Sequence, residues 1–299
     1  MSQAPSAIPL AVVPAPSRAP ARQSYEALRV FARNPSAIIG VLLLTVILAV
    51  TIFGPMLMQA DPFEIASAPM EPPGGEMLLG TDYLGRDVLT GMVYGGRATL
   101  LVGVVAAVLS MAIGLTVGAL AGYYGGWVDE TLMRITEFFQ VLPTLLFAMV
   151  LVTLFSPSLA TIAVAIGVVS WTGTARLARG EFLRLKRREY VLAERVIGAG
   201  DARIIWRVIL PNALAPLIVS ATLAIGTAIL FEAGLSFLGL GDPNIMSWGL
   251  MIGSNRPYIL TAWWAVTLPG AAIFLTVLAV SLIGDGLNDA LNPKSRGRS

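Results

Sequence analysis

Six stretches of this 299-residue chain are nearly free of charged residues and long enough to cross a lipid bilayer as helices. A membrane-spanning helix needs about 20 mostly apolar residues, and it satisfies its backbone polar groups within itself. The fourth stretch is short unless its helix extends to the Arg176 region. The windows cover residues 36–58, 98–124, 135–155, 159–175, 213–240 and 262–283. They predict an all-α polytopic membrane protein with six transmembrane helices.

The composition agrees with this prediction and excludes several kinds of functional site. Hydrophobic residues make up 56% of the chain and charged residues 13%, a balance outside that of soluble domains. The sequence has no cysteine and no histidine, which excludes disulfides, thiolate or imidazole metal ligands and histidine acid–base catalysis. Neither Lys186 nor Lys294 follows a glycine, so the G-x-x-x-x-G-K-[ST] phosphate-binding loop is missing. If ATP is used, we expect another chain to bind it.

The distribution of lysine and arginine predicts that both termini are cytoplasmic, because cytoplasmic loops carry an excess of these residues. Four arginines precede the first window, and nine lysines or arginines lie between the fourth and fifth, from Arg176 to Arg207. Residues 59–97 contain two arginines against six acidic residues, and the loop after the fifth window contains only Arg256. Residues 179–213 are therefore expected in the cytoplasm and residues 59–97 outside.

Glycines and prolines inside the windows predict how the helices pack and bend. Gly114, Gly118 and Gly122, at four-residue spacing, form a ridge of small residues that lets another helix approach closely. Packing within this chain is favoured over a subunit interface. Pro143 and Pro269 predict kinks, because proline removes a backbone hydrogen-bond donor.

Glu232 is an ionisable residue inside the fifth window. Such residues are costly in a membrane and face a cavity or a partner. Two roles stay open on the sequence: a place in a transport path or gate, and a buried structural hydrogen bond or a position near the headgroups. Together with the kinked spans and the basic loop, Glu232 also fits an ion-coupled secondary transporter, although we see no internal repeat.

The basic segment of residues 179–213 has the pattern of two short amphipathic helices separated by Gly198 and Gly200. Asp201 is placed to cap the second helix, and Leu210-Pro211 is expected to end the hairpin and start the fifth span. A hairpin of this kind fits a groove on a soluble partner. The alternative on composition is an amphipathic helix that lies on anionic lipid.

The hairpin resembles the cytoplasmic coupling loop of bacterial ATP-binding cassette (ABC) import permeases. That loop has the pattern Glu-Ala-Ala, three residues, Gly, nine residues, Ile, one residue, Leu-Pro. Here a leucine replaces the leading glutamate and a glutamate replaces the second alanine, so Glu189 and Glu194 are the candidates to supply the missing carboxylate. The matching positions are Leu192, Ala193, Glu194, Gly198, Val208, Leu210 and Pro211.

Other segments resemble, in the expected order, the C-type permeases of the dipeptide, oligopeptide and nickel importers. They are "LGTDYLGRDVLTGMVYGGRATLLVG", "GGWVDETLMRITEFFQVLPTLLFA", "ARLARGEFLRLKRREYV", "ILPNALAPLIV", "EAGLSFLGLG" and "GDGLNDALNP". The likeness covers residues 24–294, the expected membrane domain, and leaves residues 295–299 as a cytoplasmic tail. Residues 1–23, rich in proline and alanine, are predicted to be a disordered cytoplasmic leader, with a regulatory tail as the alternative.

The resemblance implies a type I ABC importer-like permease subunit of the bacterial cytoplasmic (inner) membrane that carries peptides or similar small solutes. The implied partners are a B-type permease in a heterodimer, two cytosolic ABC ATPases, an extracytoplasmic solute-binding protein and the lipid bilayer, with no nucleic acid. ATP and magnesium would lie on the ATPases, so no cofactor, metal or catalytic residue is expected on this chain. The coupling hairpin, at about residues 180–211, would use Glu189, Tyr190, Leu192, Ala193, Glu194, Gly198, Asp201, Leu210 and Pro211.

On the outer side, Asp82, Arg86 and Asp87 are predicted to pair in a local salt-bridge network, with a contact to the solute-binding protein as the alternative. An interfacial helix before the last window is predicted from its tryptophans, Trp248, Trp263 and Trp264. Besides the secondary transporter, one further function stays open: a membrane scaffold whose hairpin binds a partner regardless of nucleotide.

Overall fold

The computed structural model describes residues 28–291, and it confirms that the fold is all-helical. The leader predicted for residues 1–23 and the tail predicted for residues 295–299 lie outside the described residues. The helices are α1 (Pro35–Met58), α2 (Val88–Tyr124), α3 (Gly126–Val141), α4 (Thr144–Phe155), α5 (Leu159–Lys186), α6 (Glu189–Val196), α7 (Asp201–Leu240), α8 (Trp248–Asn255) and α9 (Trp264–Leu291).

In the described part of the chain, five helices are long and apolar enough to cross a membrane: α1, α2, α5, α7 and α9. Helices α3 and α4 meet at an angle of 86° and make a sixth span only if the bent pair is counted as one. Pro143 lies at the break, where its missing N–H and its ring end α3. The predicted kink at Pro143 is confirmed, and it is sharp enough to divide the third window into two helices. The 12 residues of α4 extend about 18 Å, less than the hydrocarbon thickness.

Three spans are longer than their apolar windows, because their polar ends continue past the apolar stretch. Helix α2 begins ten residues before the predicted start, at Val88, where the Asp87 carboxylate accepts the N–H groups of Leu89 and Thr90. Helix α5 continues to Lys186. Helix α9 passes Pro269 and ends at Leu291, past the predicted end.

The glycine ridge of α2 packs against α5, which confirms its predicted use within this chain. A Cβ atom on Gly118 would lie 2.2 Å from the carbonyl oxygen of Ala175. Cβ atoms on Gly114 and Gly122 would each lie 2.7 Å from a backbone oxygen of the same helix. The two backbones are therefore too close for any side chain at these positions.

Helix α1 is hydrogen-bonded to α2 near Pro55, a proline in the last turns of α1. Pro55 has no N–H to donate to the carbonyl of Thr51, four residues earlier. The Arg97 guanidinium of α2 takes that place, donating from Nε to the Thr51 oxygen at 2.8 Å. A charged side chain inside the α2 span thus satisfies a backbone group that the proline leaves free.

Helix α7 runs from the hairpin to the outer side. Leu210-Pro211, predicted to end the hairpin and start the fifth span, lies where the regular α-helical part of α7 begins, after a π-helical stretch. The 40 residues of α7 extend about 60 Å. Two stretches, Ile204–Ile209 and Ser236–Leu240, are π-helical. Pro211 follows the first of them, where the wider turn accommodates a residue without an N–H.

The loop between α1 and α2 covers the outer ends of the helices. The buried indole of Trp264 donates to the carbonyl oxygen of Thr81 in this loop at 3.0 Å. The buried indole of Trp248 donates to the Met92 carbonyl of α2 at 2.8 Å. These two tryptophans belong to the core, so the interfacial prediction is wrong for them, whereas Trp263 is exposed.

Candidate functional site

The candidate site is the hairpin, which we define as residues 189–209. Val191, Ile204 and Ile209 are fully buried, and they pack with Phe182 of α5 and Tyr123 of α2. One apolar face of the predicted amphipathic pattern therefore contacts the helix bundle. This packing supports a hairpin that stands on protein rather than one that lies on lipid.

Gly198 forms the bend of the hairpin with a φ angle of +86°. The N–H of Gly198 donates to the carbonyl of Arg195, and the N–H of Ala199 donates to the carbonyl of Glu194. This pair of bonds is the Schellman motif, which favours glycine in the left-handed position after a helix. Nothing lies within 4 Å of a Cβ built at Gly198. Backbone angle, and not close approach within the chain, accounts for this glycine.

The side of the hairpin that points away from the bundle carries apolar side chains. Val196 is 85% exposed and Ile197 is 74% exposed. Burial raises the pKa of the Tyr190 phenol, although the charges of Arg188 and Arg184 lower it, so the hydroxyl stays protonated. Exposed apolar patches rimmed by polar residues mark interaction sites. The outward face, as we call it, consists of Glu189, Tyr190, Leu192, Ala193, Val196, Ile197 and Trp206.

The two candidate carboxylates of the hairpin differ in their surroundings. Glu189 lies exposed in the first turn of α6, at the edge of the outward face. Glu194 is partly buried, and its Oε2 lies 3.8 Å from Nη2 of Arg203 across the bend. Glu189 is therefore the one that is accessible to a partner, whereas Glu194 faces Arg203 on the other arm of the hairpin.

Asp201 does not cap the second helix, so that prediction is wrong. Gly200 occupies the N-cap position, and no side chain there accepts a backbone N–H. Oδ1 of Asp201 accepts a hydrogen bond of 2.5 Å from the Tyr123 hydroxyl, at the end of α2. Arg195 also donates to the Tyr123 hydroxyl, and the ammonium of Lys186 donates to the Tyr123 carbonyl. We call these four residues the Tyr123 cluster.

Sequence reasoning missed two charged links at this end of the bundle, one from the hairpin to α2 and one between α5 and α3. Besides the Tyr123 cluster, Arg179 of α5 makes a two-pronged bond to Asp129 of α3, with N–O distances of 2.5 and 2.7 Å. Such paired geometry is among the stronger side-chain contacts. Tyr123 lies in the last turn of an apolar helix, and Asp129 follows a glycine turn. Neither residue belongs to a sequence pattern from which its partner could be predicted.

Glu232 is the centre of a buried hydrogen-bond network near the outer side. Its Oε1 accepts from the hydroxyls of Ser236, at 3.0 Å, and Ser247, at 2.8 Å. Its Oε2 lies 3.4 Å from the Thr99 hydroxyl of α2, which in turn accepts the backbone N–H of Trp248. Glu232 is 1% exposed. These contacts favour the structural alternative, because they join α2, α7 and α8.

We expect Glu232→Leu to lower the stability of the chain, whereas Glu232→Gln should preserve most of it. The leucine leaves the Ser236 and Ser247 hydroxyls without their acceptor, which costs about 1–3 kcal/mol for each unsatisfied buried group. The amide of glutamine still accepts one bond and donates others. The measurement is the thermal unfolding midpoint of the purified chain in detergent. Wild-type midpoints for both variants, together with loss of transport by both, would support a gating role instead.

Asp82, Arg86 and Asp87 form a structured turn, but not through salt bridges. Oδ1 of Asp82 accepts the backbone N–H groups of Leu84 and Arg86, at 2.8 and 2.9 Å. Asp87 caps α2, and the guanidinium of Arg86 stacks 5.0 Å from the ring of Phe63. Within residues 28–291 no ion pair joins Arg86 to either aspartate, so the predicted network is wrong. A contact with a binding protein stays a prediction.

Most of the chain matches known protein families. Residues 114–297 match the family described as the binding-protein-dependent transport system inner membrane component. Residues 23–73 match the N-terminal transmembrane domain of oligopeptide transport permease C.

Individual relatives cover nearly the whole chain. The di/tripeptide transport system permease DppC of Pseudomonas aeruginosa is 40% identical, over 98% of this chain and 97% of the relative. The dipeptide permease DppC of Escherichia coli K12 is 44% identical, over 88% and 91%. The oligopeptide permease OppC of Bacillus subtilis is 38% identical, over 89% and 88%.

One solved structure supports the fold. A chain of the methionine ABC transporter MetNI, in inward-facing conformations, superposes with a TM-score of 0.57 at 21% identity. The match covers 68% of this chain and 96% of the MetNI chain.

Proposed function

Because this chain belongs to the family of binding-protein-dependent transport system inner membrane components, we propose that it forms the C-type half of a heterodimeric peptide import permease. It is a multi-pass permease subunit of a bacterial inner membrane ABC importer and is not itself an enzyme. The observation that carries the mechanism is the outward face, an apolar surface on a hairpin that is continuous with a membrane span.

The family implies an ATPase and a binding protein as partners. In detail, we propose two cytosolic ATPase subunits, one B-type permease and one extracytoplasmic binding protein. ATP and magnesium are bound by the ATPases in this arrangement. The proposed cargo is a short peptide, since the relatives named above are permeases for dipeptides, di/tripeptides and oligopeptides.

In the first step of the proposed mechanism, the outward face inserts into a groove of an ATPase subunit. Val196 and Ile197 supply the largest exposed apolar area at the tip, and Glu189 supplies an accessible carboxylate at the edge. Helix-in-groove contacts of this kind bury an apolar face against a partner. Closure of the ATPase dimer on ATP would then displace the hairpin.

In the second step, two connections carry the displacement into the membrane. Helix α7 begins at Asp201 within the hairpin and crosses to the outer side, and its only non-helical residue there is Gly239, next to its end at Leu240. The Tyr123 cluster ties the same hairpin to the end of α2. A shift of the hairpin therefore tilts α7 and α2 together. Alternating access needs such a change between two packed arrangements rather than a covalent step.

Peptide uptake by reconstituted complexes tests this function. The chain is purified with its partner permease and ATPases, placed in proteoliposomes, and given the binding protein with a labelled tripeptide. We expect uptake that needs both ATP and the binding protein. Uptake without ATP would support the secondary transporter, and binding of the ATPases with no uptake of any peptide would support the scaffold.

We expect Tyr123→Phe to weaken coupling without unfolding the chain. The substitution keeps the ring in place and removes the hydroxyl, with its bond to Asp201, about 1.5–3 kcal/mol for a charged acceptor, and the longer bond from Arg195. The measurement is the number of peptides imported per ATP hydrolysed, which should fall. In a double-mutant cycle with Asp201→Ala, the two effects should be strongly non-additive. Additive effects would show that the Tyr123–Asp201 bond does not carry the coupling.

A further inference from the structure

A cleft of about 210 Å³ lies between α2, α5 and α7 at mid-depth of the bundle. Ser170 on its wall lies 11 residues after Leu159, or roughly 17 Å along α5 from its outer end. The cleft opens sideways past the exposed residues Gly173, Leu223 and Thr227. Its volume holds several water molecules.

Four hydroxyl groups around this cleft have no hydrogen-bond partner within residues 28–291. They belong to Ser110, Ser170, Thr174 and Ser220, and come from all three helices; of the four oxygens, that of Ser170 is fully buried. Ser110 is 2% exposed and Thr174 is 5% exposed.

Hydroxyl groups elsewhere in the spans behave differently. The side chains of Thr45, Thr116, Thr153 and Thr276 each donate to the carbonyl four residues earlier in their own helix. A serine or threonine in a helix can therefore satisfy itself by this local bond. The four hydroxyls of the cleft do not make this local hydrogen bond. A buried hydroxyl without a partner lowers the stability of a fold by about 1–3 kcal/mol.

Lipid cannot satisfy these groups, because acyl chains neither donate nor accept hydrogen bonds. Water or another polar occupant of the cleft would satisfy them. No charged residue lines it. Neutral groups that both donate and accept suit the amide N–H and C=O of a peptide backbone, whatever the side chains are.

Building on the proposed import function, we propose that this cleft is the part of the cargo path formed by this subunit. Its free hydroxyls bind water when the path is empty and the backbone amides of a peptide when cargo passes. Helix α7 forms one wall of the cleft and also begins at the hairpin, so displacement of the hairpin changes the width of the cleft. This connection favours cargo over a fixed helix of the partner permease.

Cysteine labelling tests the proposal directly, because the chain has no cysteine of its own. Ser170→Cys and Ser220→Cys are treated, in the full complex in lipid, with a charged methanethiosulfonate that does not enter lipid. The control is Thr116→Cys, an exposed position on α2 whose hydroxyl bonds to its own helix. Labelling of this chain is read by mass spectrometry.

We expect the two cleft cysteines to react at least about tenfold faster than Thr116→Cys, because a thiol needs water to ionise to the reactive thiolate. Adding ATP and binding protein loaded with trialanine should slow their labelling. Absent labelling at both positions would overturn the proposal. So would labelling that cargo does not change, or disulfide cross-linking of these cysteines to a helix of the partner permease.

A second pair of variants tests the path by filling it. Gly173 and Gly180 lie on the same helix, and a Cβ at either position meets nothing within 4 Å among residues 28–291, so the two leucines start from equally open positions. Gly173→Leu projects into the cleft, whereas Gly180→Leu lies outside it. We expect Gly173→Leu to lower tripeptide uptake at least about tenfold, equivalent to about 1.4 kcal/mol on the barrier, and Gly180→Leu to leave it near wild type.

The outcomes separate this proposal from the import function. Equal uptake by wild type, Gly173→Leu and Gly180→Leu would overturn the cleft assignment and leave the importer intact. Wild-type protein that imports no peptide would overturn the import function, and the labelling contrast would still report whether the cleft contains water.

Discussion

Gly198→Glu is expected to abolish ATP-coupled peptide uptake while the chain still inserts into the membrane. A side chain at φ +86° strains the bend by about 1–2 kcal/mol, which the rest of the fold can tolerate. Because nothing in residues 28–291 lies within 4 Å of a Cβ at this position, we expect the larger effect on the partner. A charged glutamate beside Ile197 would have to be desolvated in an apolar groove.

The measurement is ATPase activity and uptake by the complex in proteoliposomes. Wild-type activity should rise when loaded binding protein is added, and the Gly198→Glu complex should lose that rise. Gly198→Asn is the control, since asparagine tolerates the left-handed conformation and carries no charge. We expect it to retain most of the coupling. Normal coupling by the glutamate variant would refute the role of the bend.

Gly118→Val should prevent the chain from accumulating in folded form. The first carbon of the new side chain would lie 2.2 Å from the Ala175 carbonyl oxygen and 2.7 Å from the Ala178 Cβ. Backbone atoms cannot rotate away, so α2 and α5 must separate along their longest contact. Overpacking usually costs 1–3 kcal/mol, and we expect more than about 3 kcal/mol here because the obstacle is backbone.

Membrane-inserted protein and its thermal unfolding in detergent measure this effect. Gly180→Val, on α5, makes the same change where a Cβ meets nothing within 4 Å. It should fold like wild type, since valine is not a poorer helix former than glycine. Equal yields and midpoints for the two variants would show that the ridge does not hold α2 against α5.

The membrane topology could be predicted because long apolar runs and basic loops report on the bilayer, whose dimensions are fixed. Gly198 could be predicted because a left-handed bend after a short helix has a local signature. The ends of the helices could be predicted less well from the apolar windows, since a helix such as α2 continues past its apolar part. Asp87, an N-cap residue directly before Val88, was the signal that could have placed its start.

Contacts between distant residues could not be predicted in the same way. Tyr123 and Asp201 are 78 positions apart, and only packing of α2 beside the hairpin brings them together. Asp201 fitted a cap position by sequence, but Gly200 took that place and the carboxylate turned to a tertiary partner. For Glu232, the sequence allowed several roles because its neighbours, Thr99 and Ser247, lie on other segments.

Cross-linking at the tip of the hairpin tests most directly whether the outward face docks on an ATPase. Val196→Cys, at a position 85% exposed, introduces the only cysteine in the chain, and a short thiol-to-amine cross-linker is added to the full complex. Leu57→Cys, 84% exposed at the other end of the molecule, is the control. Our account predicts that Val196→Cys is joined to an ATPase subunit and that Leu57→Cys is not. Cross-links from Val196→Cys to lipid or to the permease alone would contradict it.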